Sequence, residues 1–174
     1  MEMEIDLLYS KSVTTINILV LSLLLILSVS IYYLSGKKIN TLNALVIFSM
    51  YLPIIVTFFY SPTSYSVSPK SIAINKVIGI IKVQKNDIVS LKEINPQDLG
   101  SFTRKFASGG LFGYYGLFNS EKEGNIRVYC GTLDTNLVLI KLKSGKKILV
   151  SPYHIGKFID LCGENTPDSR GFNQ

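Results

Sequence analysis

One histidine, two cysteines and two long stretches without a charged side chain are the scarcities that constrain this chain first. His154 stands alone, so imidazole acid–base chemistry has no second histidine to work with, and its place beside a C-terminal helix start makes it a surface or capping residue. Cys130 ends a β-like run and Cys162 lies on an apolar helical face. Both read as small core hydrophobes, free thiols in a reducing compartment. No CxxC and no Cys/His ligand cluster occurs, which argues against zinc, haem and redox chemistry. Asp87, Glu93, Asp98, Glu121, Glu123 and Asp134 fall mainly in turns, with no two of them paired for general acid–base work. The expectation is a protein without catalysis, metal or cofactor.

The charge-free stretches carry a positive message. Ile16 to Leu34 and Leu42 to Tyr60 each supply 19 residues without Asp, Glu, Lys, Arg or His, about the length that crosses a hydrocarbon core. Neither shows a polar stripe at helical spacing, as the helices of a soluble hairpin would. The segment before the first span, MEMEIDLLYSK, is acid-rich instead of basic and no small-residue cleavage pattern follows, so the span is expected to remain as an anchor. Pro53 is expected to kink the second span. The link SGKKINT is too short to cross anything, which puts both chain ends on one side. Lys37 and Lys38 compete with Lys11 and Lys70 in the positive-inside balance. The reducing-compartment reading of the thiols favours cytoplasmic ends.

Divided at residue 60, the charge separates cleanly. Residues 1–60 hold three basic and three acidic side chains, whereas the remainder holds fifteen and nine, so the whole net charge of +6 belongs to the second part. A basic domain held close to a bilayer suits attraction to anionic headgroups, and equally a solvated surface that keeps it soluble.

After residue 60 a Ser- and Pro-rich stretch, SPTSYSVSPKS, leads into short β-like runs at Tyr65 to Val67, Ser71 to Ile74, Ile78 to Val83 and Ile88 to Ile94. The signal returns at Ile126 to Cys130, Leu137 to Lys143 and Lys147 to Val150. The last two are joined by Ser144-Gly145-Lys146, a hairpin turn. Ser151 and Pro152 are suited to N-cap and first helical position, and Ile155, Phe158, Ile159 and Cys162 follow at helical spacing up to Gly163. Residues 164–174 read as a polar tail. Together these predict about seven strands in a bent antiparallel sheet or partly open barrel, capped by one C-terminal helix, over residues 61–163, with residues 1–60 forming a tail and a transmembrane hairpin with spans at about 16–34 and 42–60.

This order of elements carries particular residues with it: Asn86-Asp87-Ile88 at a turn into a strand, the run SGGLFGYYGLF within Arg104 to Phe118, then Gly124, Tyr129, Thr132, and Ser151-Pro152 ahead of Phe158. In these it resembles the bacterial pleckstrin-homology (PH-like) domain family over about residues 61–163. The resemblance implies a barrel capped by a helix and no reaction, and membrane-hairpin-plus-domain architecture is common in that family. Inositol-phosphate binding is not carried over, because Lys70, Lys76, Lys82 and Lys85 are spread without the matching arginine.

The glycine-rich run itself, with Gly109, Gly110, Gly113 and Gly116, fits neither a Walker nor a dinucleotide loop, since no GK[ST] or GxGxxG precedes a helix. Three readings stay open. It is crowded sheet, where glycine permits bulges and close approach; or a membrane-contact loop, with Arg104 and Lys105 ahead of Phe112, Tyr114, Tyr115 and Phe118; or a protein-binding edge with aromatic anchors. For the whole chain the expectation is an integral membrane protein with a scaffold or adaptor domain that binds a protein partner or a second copy of itself, the alternative being recognition of anionic lipid headgroups. Nucleic acid is not expected, the aromatics lacking interleaved arginine.

Overall fold

A computed structural model describes residues 3–163, so the expected tail at 164–174 lies outside the described residues. Two long helices, α1 (Lys11–Leu34) and α2 (Thr41–Tyr60), stand in the first third of the chain. Each is long and apolar enough to cross a membrane by length and composition. Most of the exposed large hydrophobic side chains of the protein lie on them. Ser10 caps α1 by accepting from the Val13 N–H at 3.2 Å, and Asn40 caps α2 through Asn43 at 2.9 Å. Hydroxyls within the helices turn back onto carbonyls one turn earlier, as Ser28 does to Leu24 and Thr57 to Pro53. Polar atoms in an apolar setting are satisfied this way without a partner chain. Pro53 lies inside α2.

The strands of the described residues form two sheets and no closed barrel. The four-stranded sheet has the order β1-β2-β3-β4, built from Met3–Asp6, Pro62–Val67, Ser71–Lys76 and Ile80–Gln84. The six-stranded sheet has the order β5-β9-β10-β8-β7-β6. Its members are β5 (Ile88–Ile94), β6 (Phe102–Gly110), β7 (Gly113–Ser120), β8 (Gly124–Cys130), β9 (Leu137–Leu142) and β10 (Lys147–Val150). Among the described residues all strand pairings are antiparallel but one: β10 runs parallel to β8, with Ile148 opposite Arg127 and Val150 opposite Tyr129. The expected antiparallel pairing holds apart from that one pair. The 131–136 connection steps over one sheet position, and β10 returns through the Ser144–Lys146 turn to fill it.

The segment before α1, expected as part of a tail, is a strand. Met3, Glu4, Ile5 and Asp6 pair with Val67, Ser66, Tyr65 and Ser64, and Leu7 continues as a bridge to Pro152. Ile5 and Leu7 alternate with Glu4 and Asp6, the two-residue period of a half-buried strand, and both are buried. Chain entering α1 is thus bonded to chain leaving α2, which clamps the helical pair at its base.

Two further expectations shift. The strand expected from Ile78 begins at Ile80, because the Val77 and Ile78 N–H groups donate to Ser61 and Phe59 carbonyls at 3.1 and 3.0 Å instead of to a neighbouring strand. The C-terminal helix α3 (Ile155–Gly163) starts three residues later than Pro152, since Pro152 is spent on the bridge to Leu7. Its apolar face is as expected: Phe158 and Cys162 are buried, with Ile155 and Ile159 packed around the same core. Phe158 meets Tyr65 edge-on at 5.8 Å between ring centres, a geometry worth about 1 kcal/mol beyond the area buried. The Tyr65 hydroxyl is fully buried yet donates to the Tyr129 carbonyl at 2.5 Å and accepts from the Ser151 N–H at 3.0 Å. That polar lock ties the four-stranded sheet to β8 and to the approach of α3. Buried Lys85 closes the other side, donating to the Leu161 carbonyl near the end of α3.

Candidate functional site

The glycine-rich run is the β6–β7 hairpin. Ser108 pairs with Tyr115, Gly109 with Tyr114 and Gly110 with Gly113, so Leu111 and Phe112 form the tip. Phe112 takes a φ of +55°. Glycine is required where β7 turns hardest: at Gly116, φ +115°, an added Cβ would collide with the Phe106 carbonyl oxygen and stand 2.7 Å from the Ala107 Cα. At Gly113 the Cys130 carbonyl oxygen would lie 2.8 Å away.

The tip does not stand free; it leans on the two helices. The Phe112 N–H donates to the Asn17 side chain of α1 at 2.9 Å. Its ring meets Phe58 of α2 edge-on at 5.2 Å, and the Tyr115 hydroxyl donates to the Thr57 carbonyl. Gly110 lies against Ile16. Of the aromatics expected as contact residues, Tyr115 and Phe118 are buried, 8% and 2% exposed, Phe118 stacked on Phe102 inside the domain. Phe112 and Tyr114 are half-buried. Arg104 and Lys105 are exposed but do not point at the tip together. The Arg104 guanidinium lies back over Gly109, occupying the space a Cβ would take, while the Lys105 ammonium donates to the Asn125 side chain at 2.8 Å. The structure therefore divides the expected cluster: Phe112 and Tyr115 meet the helices, Phe118 packs into the domain, Arg104 lies along the hairpin toward its tip, and Lys105 is held on Asn125 of β8.

The cations gather at the other end of the sheets. β8 runs from Gly124 to Cys130, and Gly131 next to Cys130 accepts the Ser10 N–H where α1 begins. Gly124 is therefore the end remote from the helices, up to about 20 Å away along the strand. At that remote end lies Lys122, with Lys141, Lys143, Lys146 and Lys147 around the β9–β10 turn, and Arg127 stands at the middle of β8, about 10 Å nearer the helices. Lys70 is there too, its carbonyl accepting the Lys85 N–H where the chain passes between the sheets. Glu123 sits among them, 2.9 Å from Lys141 and 2.7 Å from Lys147. The hydrogen bond from Lys147, and then that from Lys141, hold its carboxyl below the usual range against the opposing effect of burial. One carboxylate balances two ammoniums, which leaves Arg127 and Lys146 exposed. They border an open cleft of about 240 Å³ lined also by Leu117, Asn125, Ser144, Gly145 and Lys147.

Sequence reasoning placed Ser144-Gly145-Lys146 as a hairpin turn and assigned no site to it. The signal that would have found the cleft is charge density, four lysines between residues 141 and 147, but the pairing of β8 with β10 that adds Arg127 has no local signature. Among the described residues no group of three or more His, Cys, Asp or Glu could hold a metal ion. Burial pushes the Cys162 thiol up to about 12 and Cys130 higher still, so neither is a ready thiolate.

No curated protein and no solved structure matches the chain. A family model described as bacterial PH domain matches residues 63–164, from β2 through α3. PH domains are binding modules and not catalysts. With more than half of its length under that match, the chain belongs to the bacterial PH domain family.

Proposed function

We propose that the protein is a membrane-anchored, non-catalytic binding module: α1 and α2 cross the bacterial inner membrane, chain ends and domain lie on the cytoplasmic side, and the remote basic end engages an acidic protein surface. The observation that carries this reading is the placement of charge. Exposed cations concentrate up to about 20 Å along the strands from the helix ends, while electrostatic attraction between exposed groups fades over about 8 Å at physiological salt. Headgroups of the bilayer holding the anchor lie outside that reach, and an acidic protein approaching from the water does not. A second copy docking through the same face is disfavoured by like charge. Anchoring raises the effective concentration of the domain for another membrane protein, so a weak, charge-guided contact suffices.

The test is a photo-crosslinking side chain in place of Lys146, in the full-length protein in native membranes. Protein adducts that fade at high salt and with Arg127→Glu are expected. Adducts with lipid instead would replace this reading with headgroup recognition.

A further inference from the structure

Among the described residues outside the helices, exposed large hydrophobics are few, and three of them share one turn: Val77, Ile78 and Ile80 are 36%, 59% and 58% exposed. This is the β3–β4 turn, closed by the Lys76 N–H donating to the Gly79 carbonyl at 3.1 Å. Hairpin turns in water favour Asn, Asp and Gly at their centres. Here the centre is Val77-Ile78, β-branched and apolar, with glycine only at position 79. The turn is also bound to α2 at the point where that helix ends, through the Val77 and Ile78 N–H groups on the Ser61 and Phe59 carbonyls. Phe58, Phe59 and Tyr60, the last residues of that helix, are exposed as well. Lys76 completes the pattern, its ammonium 5.2 Å over the Tyr60 ring, the posture of a cation reaching toward headgroups from an aromatic belt.

We propose that the β3–β4 turn is a second membrane contact, dipping Val77, Ile78 and Ile80 into the bilayer interface beside α2 and setting the tilt at which the domain stands. The occupant of this surface is the lipid bilayer. Attachment to the end of α2 selects it, as does an apolar turn composition that water disfavours. The inference rests on the reading of α1 and α2 as spans. Its consequence is division of labour between the two ends of the domain: the near end seats on lipid, and the basic far end stays in water.

The chain has no tryptophan, so a single introduced one reports its own surroundings. The full-length protein is reconstituted into phosphatidylcholine vesicles with and without lipids brominated high on the acyl chain, as Ile78→Trp, Leu52→Trp in mid-α2, or Val89→Trp, exposed at the remote end of β5. Expected are a blue-shifted emission for Ile78→Trp, quenching by brominated lipid several-fold that of Val89→Trp, and strong quenching of Leu52→Trp. If Leu52→Trp is quenched and Ile78→Trp responds no more than Val89→Trp, the turn does not touch lipid and the inference falls while the spans stand. A blue-shifted but unquenched Ile78→Trp means protein covers the turn, and also overturns it. If Leu52→Trp is unquenched, the spanning reading fails first and the inference with it.

Discussion

Gly116 and Gly124 both hold positive φ, +115° and +70°, but an added methyl group meets different surroundings at the two positions. At Gly124 it enters open space, so Gly124→Ala costs the backbone strain alone, about 1 kcal/mol. At Gly116 it also strikes the Phe106 carbonyl and the Ala107 backbone of the paired strand. Strain and overpacking then add, for an expected loss of about 3 kcal/mol. Thermal unfolding of the two variants in detergent checks this, and equal losses would mean that β6 and β7 are not packed as described. At this scale the sequence was legible for conformation and not for exposure. Glycine spacing in residues 109–116 announced close approach, but whether Phe112 and Tyr115 faced lipid, partner or protein depended on α1 and α2. Those neighbours are some 50 to 95 positions away in the chain.

At the scale of elements, β1 matters most, because it makes the domain begin before the helices. Ile5 and Leu7 are buried in the same core as Tyr65, Val67 and Phe158, and burial of two such side chains contributes about 3 to 6 kcal/mol. The Tyr9 hydroxyl donates to the Pro62 carbonyl at 2.7 Å, so the two segments flanking the helices are adjacent. A chain joining residues 3–10 to 61–163 through a short Gly/Ser linker is expected to fold as a water-soluble domain. Residues 61–163 alone are expected to melt at markedly lower denaturant. Equal midpoints would show that β1 is dispensable. Strands β5, β9 and β10 and the apolar face of α3 could be read locally, because short β-branched apolar runs, the Ser144–Lys146 turn and the 155/158/159/162 spacing are local facts. β1 alternates apolar and acidic residues, but four residues against a 24-residue apolar helix read as a leader. Its partner strand lies beyond both helices.

At the scale of the molecule, pairing of β1 with β2 requires both ends of the helical pair to lie together, which leaves the 35–40 connection at the opposite end. The native thiols are buried, 0% and 1% exposed, with pKa values raised by burial, so they are expected to stay silent toward maleimide whichever side the domain occupies. Lys38 is exposed in the connection. In intact cells with an outer membrane permeable to the reagent, Lys38→Cys is expected to react with a membrane-impermeant maleimide, as cytoplasmic placement of the domain requires. Labelling only after lysis would invert the orientation.

The sequence by itself determined the two apolar helices, the β-rich domain with its closing helix and the family resemblance, because hydrophobic periodicity, turn chemistry and charge-free length are properties of neighbouring residues. Only the tertiary structure decided that the domain is completed by a strand preceding the helices, that the glycine-rich tip is spent on α1 and α2, and that the cations collect at the far end beside β10. Each of these rests on strand order and register, which bring together residues distant in the chain, and no local pattern encodes which distant segment will be the neighbour.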